Sequence, residues 1–234
     1  MRLFQAVTEA STSSPATREA PALTITRALL AASGAKVLSG LFVKSLIEKS
    51  GQITGIRTAI GPFAADHVIL ATGTATPALL TPLGLDLPML TRPGVLLHTK
   101  PVPWRLHHII VTPHQEIRQD AAGRILAPAV ANHQADAAES VPDPHALIDA
   151  TLHRLAALFG AHVEMDRYLI GYRPVPADGL PVIGTVQAGL SIAVMHSGIT
   201  LAAGIAEALS GEITGQGESA LLAEFRPARL LVTA

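Results

Sequence analysis

The chain has 234 residues, enough for one large domain or two small ones, and 49% of them are apolar. Its formal net charge of −1 excludes the broad basic field expected of a protein that binds nucleic acid or anionic lipid. The absence of cysteine excludes disulfides, thiolate nucleophiles and Cys-ligated metal centres, and it favours a cytoplasmic location.

The first predicted elements alternate between helices and strands. Residues 1–22 are rich in Ser, Thr and Ala and lack a continuous apolar stretch, which predicts a disordered leader and not a secretory signal. The run that ends at Ala71 is continuously apolar, which is typical of a strand in a sheet covered on both faces. The predicted elements are a helix over 23–33, a strand over 36–38, hairpin strands over 42–49 and 53–58, a strand ending at Leu70, and a helix over 76–83.

From residue 87 the pattern changes to short alternating strands separated by Pro, Gly and Asp, which is typical of an antiparallel sheet with one open face. The predicted strands span 95–99, 107–112, 116–119, 125–129 and 168–173. A helix is predicted over 143–159, with a buried side formed by Leu147, Thr151, Leu155 and Leu158.

The end of the chain returns to the first pattern. Residues 188–206 contain no charged residue and approach bilayer-spanning length, but Met195–Gly198 interrupts them. A buried strand over 190–194, a turn and a helix explain this segment better than a membrane span does. The order of elements predicts an α/β fold with α+β elements, in which an antiparallel module (87–173) is inserted between two parts (23–86 and 174–234) of a doubly covered sheet module.

Two stretches carry the residue types expected at a ligand site: Gly171–Gly184, and Gly189–Gly204 followed later by Phe225-Arg226-Pro227. In the second stretch a turn of small residues precedes a helix whose first N–H groups would stabilise a negative charge. An ordinary helix capped by Ser197 or Thr200 would give the same pattern. In the first stretch, Arg173 has the chemistry to bind a carboxylate ligand or to pair locally with Asp178.

Together these stretches resemble the C-terminal signature of the FAD-dependent D-amino-acid oxidase and glycine oxidase family, in which RP…DG.P.IG is followed by a strand, HSGITL and FRP. The earlier segment Asp66–Gly73 is similar to the second stretch of the family's FAD domain, and the resemblance covers about residues 23–230. It implies an oxidoreductase that transfers hydride from the Cα of a small amine or amino acid to FAD. The sheet module would then be a partial FAD-binding domain, and 87–173 the substrate domain.

The resemblance also assigns roles to individual residues. Arg173 matches the arginine that holds the substrate carboxylate, and His196 is interpreted as a structural or flavin-contacting residue, because hydride transfer needs no strong protein base. No metal site is expected, since the histidines show no paired spacing on one helix. The matching cofactor-binding positions are Val43, Thr72, Gly73, His196, Ser197, Gly198, Ile199, Thr200 and Leu201.

The sequence departs from the family at its start. The family begins with a βαβ unit whose Gly-rich turn binds the FAD pyrophosphate, and the one Gly-x-Gly-x-x-small match here, at 215–220, follows a helix. The resemblance therefore predicts a truncated or split chain that needs an upstream segment, an oligomer or a partner subunit to complete FAD binding. It also predicts that the strands at 68–71 and 190–194 lack parallel neighbours and expose an apolar edge.

Overall fold

The structure is a computed structural model that describes residues 22–129 and 140–233. The predicted leader lies outside the described residues, except for Ala22, which begins the first helix. The chain divides into two compact units. Unit 1 comprises Arg27–Leu90 and the chain from Pro174 onwards, and unit 2 comprises Thr91–Arg173 with the start of the first helix.

The structure contains α-helices, short 3-10 turns and mostly antiparallel strands. The α-helices are α1 (Ala22–Ser33), α2 (Thr76–Leu80), α3 (Pro144–Phe159) and α4 (Gly198–Ile213). The 3-10 turns are Gly73–Ala75, Thr81–Leu83, Ala220–Phe225 and Pro227–Arg229. The strands are β1 (Val43–Lys49), β2 (Gln52–Thr58), β3 (Gly61–Ala64), β4 (Val68–Leu70), β5 (Leu85–Asp86), β6 (Met89–Pro101), β7 (Ile110–Val111), β8 (Glu116–Gln119), β9 (Arg124–Pro128), β10 (Met165–Pro176), β11 (Val182–Gln187), β12 (Leu190–Val194) and β13 (Val232–Thr233).

The central sheet of unit 1 has the strand order β11-β12-β4, with β12 antiparallel to β11 and parallel to β4. The expectation that the strand over 190–194 lacks a parallel neighbour was therefore wrong, because β4 runs parallel to it and β11 pairs with its other edge. Among the described residues, β4 forms the outer edge of this sheet, and Ile69 on it is 38% exposed. The expected apolar edge is present at β4 alone.

A three-stranded sheet of order β1-β2-β3 begins with the predicted hairpin. Ser50 and Gly51 at its turn both have positive φ, 51° and 79°, as a two-residue hairpin turn requires. β3 was not predicted, because its Gly-Pro start has the appearance of a loop. The predicted strand over 36–38 is wrong: the structure has a single bridge residue at Val37, in a segment that turns at Gly40.

The core of unit 1 lies between the β11-β12-β4 sheet and α2. Its fully buried residues include Ile53, Leu80, Leu190 and Ile192. On the opposite face, Leu209 of α4 packs with Ile183 and Leu222. Only the second half of α4 is anchored in this way, since the first half is exposed, with Ile199 at 61%.

No helix in the described part of the chain is long and apolar enough to cross a membrane. Residues 188–206 form β12, a turn and the start of α4, so the predicted strand, turn and helix are confirmed, including the bounds of β12.

Unit 2 consists of a five-stranded sheet of order β10-β6-β9-β8-β7 packed against α3. The predicted strand over 107–112 shortens to β7, while β6 and β10 extend well beyond the predictions. The buried side of α3 contains Ile148, Thr151 and Leu155. Leu158 was wrongly placed on it and is 48% exposed, because Ile148 and not Leu158 completes the stripe that faces the sheet.

The N-terminus of α3 is capped by Asp143, whose carboxylate accepts a hydrogen bond of 3.0 Å from the backbone N–H of Ala146. We expect Asp143→Ala to lower the free energy of unfolding by about 1 kcal/mol, because that N–H loses its partner. Asp143→Asn, which keeps an acceptor oxygen, should lose much less. Urea unfolding of the three proteins measures this, and equal losses for Ala and Asn would contradict the assigned cap.

Candidate functional site

The carboxyl ends of β4 and β12 lie at the same edge of the central sheet, because these strands are parallel. Thr72 and Gly73 follow β4, and His196 and Ser197 follow β12. The 3-10 turn Gly73–Ala75 contacts β12. The structure therefore brings two of the sequence-predicted cofactor segments together, at the edge where open α/β sheets bind ligands.

The backbone turns sharply after β4. Gly73 has a φ of 54° and begins a 3-10 turn. In this turn the Ala75 N–H donates a 3.1 Å hydrogen bond to the Thr72 carbonyl. The hydroxyls of Thr72 and Thr76 lie 2.9 Å apart, which fixes the Thr72 side chain against α2. A side chain at 73 would be strained at this φ, so the turn after β4 favours glycine.

The N-terminus of α4 has no side-chain cap. Ser197 occupies the cap position in the left-handed region, with φ 61°, and its Oγ lies 2.8 Å from His196 Nδ1. The first helical hydrogen bond runs from the Leu201 N–H to the Ser197 carbonyl, at 3.1 Å. The N–H groups of residues 198–200 precede it, and all of these residues are exposed. The helix start therefore has donors and positive dipole charge available to an anionic ligand.

Val43 lies elsewhere in unit 1. It begins β1, pairs with Thr58 of β2, and packs its half-buried side chain against the core. It therefore belongs to a different sheet from β4 and β12, and its contact with the cofactor stays a prediction.

Arg173 lies in unit 2, near the end of β10, and is half-buried. Its Nε donates a 3.3 Å hydrogen bond to the carbonyl of Arg92, and a Cβ built on Gly94 would lie 3.9 Å from that Nε. The alternative partner Asp178 is bound by Arg229, whose Nε donates to its Oδ2 at 2.7 Å. This hydrogen bond lowers the pKa of Asp178. No sequence signal pointed to the Arg92 carbonyl, because only the folded strands place it beside Arg173.

Arg226, from the Phe-Arg-Pro motif, binds the end of α4. Its guanidinium donates to both carboxylate oxygens of Glu212, at 2.8 and 2.7 Å, and the Ser219 N–H donates to the same carboxylate at 2.7 Å. These contacts fix α4 against the tail of the chain at the end opposite to its exposed start.

The hydrogen bond from Arg226 lowers the pKa of Glu212 below its ordinary value of 4.5. A carboxyl whose pKa is lower in the folded state stabilises the fold fully above the unfolded pKa, and this contribution is lost as the pH falls through the folded pKa. We therefore expect Glu212→Gln to be less stable than wild type at neutral pH, with the difference shrinking below about pH 4.5. Urea unfolding between neutral and acid pH tests this, and a difference that does not change with pH would contradict it.

No group of three or more His, Asp or Glu residues suited to a metal ion occurs among residues 22–129 and 140–233. His133 lies outside those ranges.

Comparison with solved structures shows the fold class. L-amino acid deaminase from Proteus vulgaris superposes with a TM-score of 0.73 at 20% identity, over 88% of this chain and 54% of that protein. Glycine oxidase from Bacillus cereus superposes with a TM-score of 0.67 at 22% identity, over 86% of this chain and 57% of that protein. The fold is therefore that of FAD-dependent oxidoreductases, a mixed α/β fold with several sheets, as predicted.

The sequence comparisons give the family. Residues 13–211 match the family described as "FAD dependent oxidoreductase", and the chain belongs to that family. A D-amino acid dehydrogenase from Cereibacter sphaeroides is 33% identical over 189 residues, covering 78% of this chain and 43% of that enzyme. The chain thus spans about half the length of the curated relatives it matches. The resemblance identified from the sequence is confirmed.

Proposed function

We propose that this chain contributes FAD-binding and substrate-binding residues to an oxidoreductase that acts on a small amine or amino acid. The observation that carries the proposal is the uncapped, exposed N-terminus of α4, which follows β12 at the same carboxyl edge of the central sheet as Gly73. Family membership supports FAD as the cofactor. The absence of cysteine supports a cytoplasmic location for this activity.

The residues present fit FAD. Ser197 and Gly198 are small and exposed, and the N–H groups of residues 198–200 would stabilise negative charge on the cofactor. Thr72 and Gly73 would contact it from the end of β4. FAD, when bound, supplies the acceptor for the hydride of the substrate. The role of Val43 as a backbone contact belongs to this proposal on resemblance alone.

Arg173 would hold the substrate α-carboxylate. Its Nε donates to the Arg92 carbonyl, which orients the guanidinium, and a guanidinium can hold a carboxylate through two hydrogen bonds. His196 needs no role as a base, and its Nδ1 is already within hydrogen-bond distance of Ser197 Oγ.

A second candidate is a chain that is non-catalytic alone and completes its FAD site with a further polypeptide segment, a second copy or a partner subunit. The observation that favours it is the apolar surface of unit 1. β4 is an edge strand in the described chain, Ile69 on it is exposed, and the first half of α4 presents Ile199 and Leu201 to solvent. Parallel strands are normally covered on both faces, so a strand and a helix would fit there.

The visible spectrum of the purified chain incubated with FAD distinguishes the two candidates. Flavin bands near ~450 nm that persist through gel filtration would show binding by this chain alone. Bands retained only after adding the part of the Cereibacter sphaeroides dehydrogenase that this chain does not match would favour the second candidate. Failure to retain flavin under both conditions would overturn the proposed cofactor site.

A further inference from the structure

A second cluster of polar side chains surrounds His98, on the open face of the unit 2 sheet. Along β6, Val95, Leu97 and Thr99 are buried, and the first two pack in the core with α3. Side chains alternate between the two faces of a strand, so His98 lies on the face opposite to α3.

The strand register places further residues on this face. His98 pairs with Leu126 of β9, and Leu126 pairs with Arg118 of β8. Directly paired residues share a face, so these three form one row across three neighbouring strands. Arg124 shares the face because it lies two residues before Leu126 on β9.

His98 is 8% exposed, and neither of its ring nitrogens has a hydrogen-bond partner among the described residues. A neutral imidazole has one N–H to donate and one nitrogen that accepts, and buried polar groups in proteins are normally paired. Burial first, and then the charge of Arg167, lowers the pKa of His98, so the ring is neutral at pH 7. Arg124 and Arg118 act in the same direction as Arg167, and Asp120 opposes them.

Two of these arginines form loose ion pairs. Arg124 Nε lies 3.6 Å and Arg167 Nη1 lies 3.5 Å from the same oxygen of Asp166, and Arg124 Nη1 lies 3.9 Å from Asp120. Charge-assisted hydrogen bonds from guanidinium to carboxylate are typically about 2.7–2.9 Å. A ligand anion that accepts closer hydrogen bonds from Arg124 and Arg167 would therefore compete with Asp166 for these two guanidiniums.

We propose that His98, Arg118, Arg124 and Arg167 bind the distal acidic group, a carboxylate or a phosphate, of an extended amino-acid substrate. Arg173 lies further along the same strand, because a Cβ at Gly94 of β6 would lie 3.9 Å from the Arg173 Nε. Gly94 is four residues before His98, which corresponds to about 13 Å along β6. A substrate held by its α-carboxylate at Arg173 would direct a long acidic side chain towards His98. The choice of substrate rests on the proposed function, whereas anion binding at His98 does not.

Anion binding is tested on the full chain by titrating inorganic phosphate and glutarate, separately, into protein with ¹⁵N-labelled histidine rings. We expect a saturable shift of the His98 ring nitrogens, weakened at least tenfold by Arg167→Gln and by Arg124→Gln. Arg105→Gln, at an exposed arginine outside the cluster, should leave the shift unchanged. A response to phosphate alone, or to glutarate alone, supports the site and identifies the group that it binds.

The absence of a His98 shift with both anions would overturn the proposal, as would equal responses in wild type and both cluster variants. The assay needs neither FAD nor turnover, so failure of the proposed function would leave its result intact. With the FAD-loaded protein, the preference in kcat/KM for D-2-aminosuberate over D-2-aminooctanoate should fall about tenfold in Arg167→Gln. An unchanged preference would overturn the assigned substrate class while leaving the FAD site intact.

Discussion

Arg173→Ala is expected to raise the KM of the FAD-loaded protein for a D-amino acid by roughly a hundredfold, equivalent to about 3 kcal/mol. The reason is that the substrate carboxylate loses a bidentate partner on leaving water. The Nε of Arg173 is held by the Arg92 carbonyl, so the wild-type fork is oriented before the substrate arrives. Steady-state kinetics at pH 7 measures the change.

Two variants make this prediction specific. Arg173→Lys keeps the charge but not the fork, and we expect it to recover only part of the affinity. Arg105→Ala removes an exposed arginine of the same unit, whose Nη1 donates to the Ala121 carbonyl, and it should leave KM unchanged. A wild-type KM in Arg173→Ala would remove Arg173 from the substrate site.

Gly189→Ala is expected to destabilise unit 1 by about 3 kcal/mol or more. A Cβ at 189 would lie 2.1 Å from the Ile53 carbonyl oxygen, so β2 and the turn before β12 would have to separate. The adjoining hydrogen bonds, from the Ile53 N–H to the Ala188 carbonyl and from the Val68 N–H to the Gly189 carbonyl, would be strained. The φ of 76° adds about 1–2 kcal/mol for any residue with a Cβ.

Gly215→Ala is the matched control for this effect. Its φ is 87°, close to that of Gly189, but a Cβ there meets nothing within 4 Å. It should therefore show the conformational cost alone, about 1–2 kcal/mol. Urea unfolding of both variants separates the two terms, and equal losses would show that β2 is not packed against Gly189 as the structure has it.

Local sequence patterns predicted the helices and strands whose bounds depend mainly on neighbouring residues in the chain. The bounds of β12 follow from a continuous apolar run between glycine and a small-residue turn, and α3 follows from the Asp143-Pro144 start and the Gly160 end. The error at Leu158 arose because the helical period alone does not say which adjacent stripe meets the sheet. That choice depends on the β-strands of unit 2, which are distant in sequence.

The candidate site was predicted in part, for the same reason. The segments after β4 and β12 could be identified from their motifs, and the parallel pairing of the two strands explains why they meet. Arg92 and His98 could not be identified, since their significance arises from strand register and burial and not from a motif. The pairing of Asp178 with Arg229 likewise joins residues far apart in the chain.

The most direct test is anaerobic reduction of flavin bound to this chain, with the part of the Cereibacter sphaeroides dehydrogenase that this chain does not match added if retention of FAD requires it. We expect a D-amino acid to bleach the ~450 nm band, and we expect Arg173→Ala to need a roughly hundredfold higher concentration for the same bleaching. Two results would contradict this expectation. One is bound flavin that no amino acid reduces, and the other is equal reduction of the flavin in wild type and in Arg173→Ala at the same amino-acid concentration.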